Sequence, residues 1–122
     1  MVTPAAGAVV LVRFPFSDLS ETKLRPAVVL ADAGRGDAVL CQVTSKPYGD
    51  PVAVTLEEAD FVSGSLSLTS YARPGKLFTA TASRELITAK VGTLKPEALT
   101  QIVDAVVAVL RAGKIKPAEP QS

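Results

Sequence analysis

Two apolar runs, Val9-Val10-Leu11-Val12 and Ala27-Val28-Val29-Leu30, stand on either side of a polar stretch that closes with Arg25-Pro26. Unbroken series of β-branched and large apolar residues suit strands covered on both faces, not strands with one wet side. A chain built around such a pair must wrap the rest of itself over them. Pro15 has no N–H to give a sheet ladder, so the first strand is expected to end near Phe14. Pro26 biases Arg25 towards extended backbone, which predicts a cation held at the mouth of the second strand, after a loop too long for a tight hairpin. An arginine beside a turn is ordinarily a solvated charge, and its neighbours must decide whether this one is more.

Downstream, Asp32 to Asp37 is dense in glycine and aspartate and reads as a turn. It lets Val39 to Val43 pair antiparallel with Val28 to Ala31. On that third strand Leu40, Gln42 and Thr44 share one face, and Val39, Cys41 and Val43 the other. Cys41 is then a buried structural thiol. Thr44, just before Lys46-Pro47, either packs as a β-branched residue or presents its hydroxyl outward. Pro47 to Pro51 is a turn and Val52 to Leu56 a short strand. Glu57, Glu58 and Asp60 form a solvated acidic edge, because they bunch without the sharp glycine turn a hard-cation loop needs. Val62 to Tyr71, with Leu66 and Leu68 alternating with small polar residues, is expected as one strand. Arg73-Pro74-Gly75 should break the pattern before strands at Lys76 to Thr81 and Leu86 to Val91. Pro96 suits a first helical position, and Leu99, Ile102, Val103, Val106 and Leu110 make an apolar stripe for a helix over about 96 to 112. Lys95 offers no acceptor at the N-cap, a loss of roughly 1 kcal/mol. Gly113 should end the helix, leaving one domain over 1–113 and a loose tail over 114–122.

With 122 residues and 48% hydrophobic content the chain supports a single core. No run approaches the roughly 18 apolar residues of a membrane span, and the first residues lack a signal-peptide pattern, so no membrane contact and a cytoplasmic location are expected. A net charge of +1 gives no bulk attraction to polyanions. Any nucleic-acid contact must come from a local patch, for which Arg13, Lys23, Arg25, Lys46, Arg73 and Lys76 are the candidates. There is no histidine and only one cysteine. That removes histidine acid–base chemistry and zinc sites of the Cys/His type, leaving chemistry without metal or cofactor.

In order and spacing, several pieces together resemble the MazF/PemK family of toxins from type II toxin–antitoxin systems. They are Gly7, Val9 to Val12, Phe14-Pro15-Phe16, Asp18, Lys23 to Leu30, Gln42 to Ser45, Ser70-Tyr71, Arg73, Lys76 to Thr79, and Val91 to Leu94 leading into Pro96-Glu97. The resemblance spans nearly the whole chain. It implies a mainly β fold, a small SH3-like barrel with a C-terminal amphipathic helix. It also implies a homodimer, a cognate antitoxin protein as partner, and cleavage of single-stranded RNA. Gly75 is the clearest departure, since that position is often aspartate in the family.

Attack by the RNA's own 2′-hydroxyl supplies the nucleophile from the substrate, so a protein needs chiefly to align it and to stabilise charge on the phosphoryl oxygens. By resemblance Arg25 and Thr44 are the catalytic candidates, Arg25 through its permanently charged planar fork and Thr44 through its hydroxyl, with Ser45 as helper. Lys23, Lys46, Arg73 and Lys76 are candidates for holding phosphates, Phe16 or Tyr71 for stacking bases, and Asp18 or Glu21 for orienting Arg25. Two alternatives stay open: a toxin of the same fold that poisons DNA gyrase without cutting, and an inactive barrel that binds a peptide.

Overall fold

The computed structural model describes residues 4–15, 22–47, 49–81 and 87–113. Seven strands are present among them: β1 (Ala8–Pro15), β2 (Thr22–Gly34), β3 (Asp37–Thr44), β4 (Val54–Leu56), β5 (Phe61–Gly64), β6 (Ser70–Thr81) and β7 (Ile87–Leu94). A single 3-10 turn (Glu58–Asp60) joins β4 to β5, and helix α1 (Pro96–Ala112) follows β7. All strand pairs are antiparallel, in the order β4-β6-β3-β2-β1-β7-β5. The two edge strands, β4 and β5, are separated by only residues 57–60. Six strand spacings in a flat sheet would set those edges about 29 Å apart, whereas the connection reaches at most about 18 Å. The sheet therefore curls so that its two edges approach each other, which gives the small SH3-like half-barrel.

Burial on both faces of the central strands is what the unbroken apolar runs predict. Val9, Val28, Cys41 and Val43 belong to one core cluster, with Leu56, Phe61, Leu94 and the helix residues Ala98, Ile102 and Val106. Their strand neighbours Val10, Val12, Ala27, Val29 and Leu40 form a second. The β2–β3 hairpin turns through Arg35 and Gly36, whose φ values of 56° and 80° give the left-handed pair that matches sheet twist. Asp32 steadies the turn by accepting the Gly34 N–H at Oδ1, 2.7 Å away.

Three expectations are corrected. β2 begins at Thr22, not after Arg25, because β1 extends to meet it through pairs from Val12↔Arg25 to Pro15↔Thr22. Arg25 therefore sits inside a strand. Pro26 is tolerated there because the β2–β3 ladder starts only at Ala27↔Gln42. The single strand expected over Val62 to Tyr71 is two elements, with β5 on β7 and β6 on β3. Gly64 at φ +67° makes the break, and a Cβ there would run into the Val91 carbonyl oxygen. Residues 65–69 carry the chain across to β6, with Ser67 left-handed at φ 68°. Finally, Arg73-Pro74-Gly75 does not end a strand. β6 runs through it as a bulge, where Val43↔Ala72 and Cys41↔Leu77 leave residues 73–76 opposite Gln42 alone. Pro74 is fully buried in that bulge, where the ladder asks nothing of its missing N–H.

Smaller shifts follow the same logic. β4 starts at Val54 instead of Val52, and β7 continues past Val91 to Leu94. Gly92 permits that continuation: a Cβ there would meet the Phe61 ring and the Ser63 carbonyl at 2.8 Å. The helix has the expected bounds, with Pro96 in its first turn and no side-chain cap from Lys95. Instead the Lys95 N–H donates to the Asp60 carbonyl at 2.8 Å, tying the helix start to the 3-10 turn. The buried stripe is Ala98, Ile102 and Val106, while Leu110 is 65% exposed. Phe16, Asp18, Glu21, Leu86 and the tail from 114 lie outside the described residues.

Candidate functional site

A groove of about 260 Å³ opens where the first half of β2, the end of β3 and the segment before β6 converge. Arg25 and Thr44 both line it. The β2–β3 register explains why: carried two residues beyond its last pair, Ala27↔Gln42, it brings Arg25 level with Thr44. Both strands have by then parted from their ladder, so the gap between them faces outward. Arg25 is partly exposed, whereas Thr44 is only 7% exposed. Its Oγ1 accepts the Lys46 N–H at 3.1 Å. That bond uses one lone pair and orients the hydroxyl, whose proton is left to donate.

Ser45 also lines the groove, and Lys46 follows it, exposed at the strand end. Lys23 is exposed on β2 and, by strand alternation, on the same face as Arg25. The far wall comes from Leu66, Leu68 and Ser70, which strand periodicity had not marked as site residues. The only signal for them was two leucines in a serine-rich stretch, and their alternation imitates a strand.

Arg73 and Lys76 are not among the described residues lining this groove. Arg73 points its Nε at Asp50 Oδ2, 3.0 Å away, with the two side chains 20% and 10% exposed. The hydrogen bond from Arg73, helped by the Val52 N–H, holds the Asp50 carboxyl below its ordinary 3.8. The Arg73 carbonyl in turn accepts the Cys41 thiol at 3.2 Å. Burial pushes that thiol up to about 12, so it stays protonated as a donor and inert as a nucleophile. Lys76 is exposed within the same bulge, and Tyr71 is partly exposed, paired with Thr44 on β6.

The 65–69 segment also lines a second cleft of about 430 Å³, which shares Leu66 and Leu68 with the first and is edged by Glu57 and Glu58. The acids are partly committed to structure, since Asp60 Oδ2 accepts the Glu57 N–H at 2.8 Å and the Glu57 side chain returns the bond. Among the described residues no group of three or more His, Cys, Asp or Glu is placed to hold a metal ion.

A sequence profile for PemK-like, MazF-like toxins of type II toxin–antitoxin systems matches residues 5–110. The chain belongs to that family. Solved MazF structures are similar to it as well. A MazE–MazF complex from Deinococcus radiodurans superposes with TM-score 0.70 at 25% identity, covering 91% of this chain and 98% of that one. An endoribonuclease from a mycobacterial species, in complex with its cognate antitoxin, gives 0.68 at 17% identity over 91% and 96%. The Mycobacterium tuberculosis toxin MazF-mt6 gives 0.65 at 13% over 85% and 96%, and these two mycobacterial matches support the fold alone. A search of curated proteins gives no match. No helix among the described residues of this toxin is long and apolar enough to cross a membrane.

Proposed function

We propose that this toxin is a metal-independent endoribonuclease that cuts single-stranded RNA at the Arg25–Thr44 groove. The observation that carries the reading is the convergence of a guanidinium and an oriented hydroxyl, from different strands, in one open groove. The 2′-oxygen of the RNA bonds to phosphorus as the P–O5′ bond breaks, leaving a 2′,3′-cyclic phosphate and a 5′-hydroxyl. The 2′-hydroxyl proton leaves to solvent and the departing 5′-oxygen regains one. Arg25 binds the phosphoryl oxygens as their charge grows, and Thr44 holds the phosphate or the 2′-hydroxyl in line. Ser45 assists, Lys23 and Lys46 neutralise flanking phosphates, and Lys76 extends the basic track.

The relatives crystallised with MazE or with a cognate antitoxin support an antitoxin partner for this chain as well. An extended acidic segment laid over the groove would block Arg25 and its neighbouring cations. A homodimer working in the cytoplasm completes the reading, since two copies would lengthen the track available to RNA. The test is digestion of a long single-stranded RNA by purified, antitoxin-free protein in excess chelator, with the ends mapped. Discrete cuts with 5′-hydroxyl and cyclic or 3′-phosphate ends are expected. No cutting by folded protein, with growth arrest that survives Arg25→Ala, would overturn the reading in favour of a toxin that acts without cleavage.

A further inference from the structure

The groove is chemically divided. One rim carries Arg25, with Lys23 and Lys46 exposed nearby. The opposite rim is aliphatic, with Leu68 59% exposed and Leu66 partly buried, and across from it Leu24, between Lys23 and Arg25 on β2, lines the same groove at 49% exposure. A phosphate is satisfied by the first rim and an unpaired base, which must cover its face once unstacked, by the second.

The aliphatic rim is also held in place. The Ser67 N–H donates to Ser65 Oγ at 2.7 Å, and Ser70 Oγ donates to the Leu68 carbonyl at 3.1 Å. Ser70 itself is only 3% exposed, so the bond fixing Leu68 is shielded from water. Gly64, which admits no side chain beside Val91, anchors the segment at its other end. Behind it, Glu57 and Glu58 edge the second cleft and repel a polyanion. Leu68 lines both clefts, and of the two only the Arg25 groove sets a cation beside it for a phosphate.

Resting on the RNA-cleavage reading, the geometry points to residues 65–69 as a specificity element, in which Leu68, opposed by Leu24, forms an aliphatic subsite for the nucleobase next to the phosphate held by Arg25. The subsite reads its base by shape and covered apolar area. The Ser70 hydroxyl positions Leu68 and does not read the base, because its proton is given to the backbone.

The experiment uses the full chain and short single-stranded RNAs randomised at the nucleotides flanking the cut, with wild type, Leu68→Ser, Leu24→Ser and Ser70→Ala compared. Both leucines are exposed enough to be truncated without loss of the core, and circular dichroism confirms the fold of each variant. The expected result for Leu68→Ser is a flattened base preference at one position beside the cut and a kcat/KM for the preferred RNA lower by roughly fivefold to tenfold, carried mostly by KM. Leu24→Ser shifts the same position, and Ser70→Ala gives a weaker version of the same change. Wild-type base preference and KM retained in both leucine variants would overturn the subsite while leaving cleavage at Arg25 standing. A wild-type protein that cuts none of the RNAs would overturn both.

Discussion

Arg25-Pro26 on β2 and Arg73-Pro74 on β6 flank the same half of β3 from opposite sides. In sequence the two dipeptides look interchangeable. In the structure a third segment distinguishes them. The turn before β4 brings Asp50 to Arg73, so that guanidinium is engaged by a carboxylate at 3.0 Å inside a bulge. Arg25 lines an open groove together with Thr44, with Leu66 and Leu68 of the segment before β6, and with Ser70 at the start of β6. A basic residue becomes a candidate for phosphate chemistry through what the fold sets beside it. Proline contributes equally to both sites, as a residue tolerated where a ladder is interrupted.

The largest expected separation between the two arginines is in rate. Arg25→Ala should lower RNA cleavage by about 10²- to 10³-fold with little change in thermal midpoint, as loss of a charge-stabilising donor does in other enzymes. Arg73→Ala should lower the thermal midpoint and leave cleavage within about threefold, an effect on folding and not on charge stabilisation. Equal losses of activity in two well-folded variants would erase the distinction. A smaller effect sharpens it from the other partner. Asp50→Asn should cost about 1 kcal/mol or less at neutral pH, since the pair is partly exposed. The Asp50 carboxyl is depressed below 3.8 in the folded state. Its contribution is therefore complete above that pH and disappears as pH falls through the lower folded value. Denaturant titrations across acid pH should show wild type converging on Asp50→Asn there; a constant gap would mean the ion pair is not its source.

Much of this fold can be read from particular residues. Unbroken valines in β1 and β2 demand cover on both faces, and Pro96 with a 3.6-residue apolar period sets the helix bounds. Simple alternation sets Thr44 with Gln42 at the end of β3, and the likeness of Lys23 to Leu30 to MazF/PemK toxins singles out Arg25. Other features were hidden because their causes are tertiary. Nothing local shows that Gly64 must be glycine; the reason is the Val91 carbonyl, 27 positions away. Leu66 and Leu68 alternate like a strand, yet the chain there is crossing from the edge strand β5 to β6. The early start of β2 is imposed by its partner β1. Asp50 carries no sequence mark of its pairing with Arg73, so Arg73 read as one more phosphate-holding candidate beside Lys23, Lys46 and Lys76.

The central claim is that the scissile phosphate sits between Arg25 and Thr44. Its most direct test is a crystal structure of the protein with a short single-stranded RNA whose cut nucleotide carries a 2′-O-methyl group, which blocks attack. The account predicts the phosphate within hydrogen-bond reach of the Arg25 guanidinium, the Thr44 hydroxyl beside it, and Arg73 still paired with Asp50. A blocked phosphate bound at the β6 bulge, with the Arg73–Asp50 pair opened and Arg25 out of contact, would contradict it.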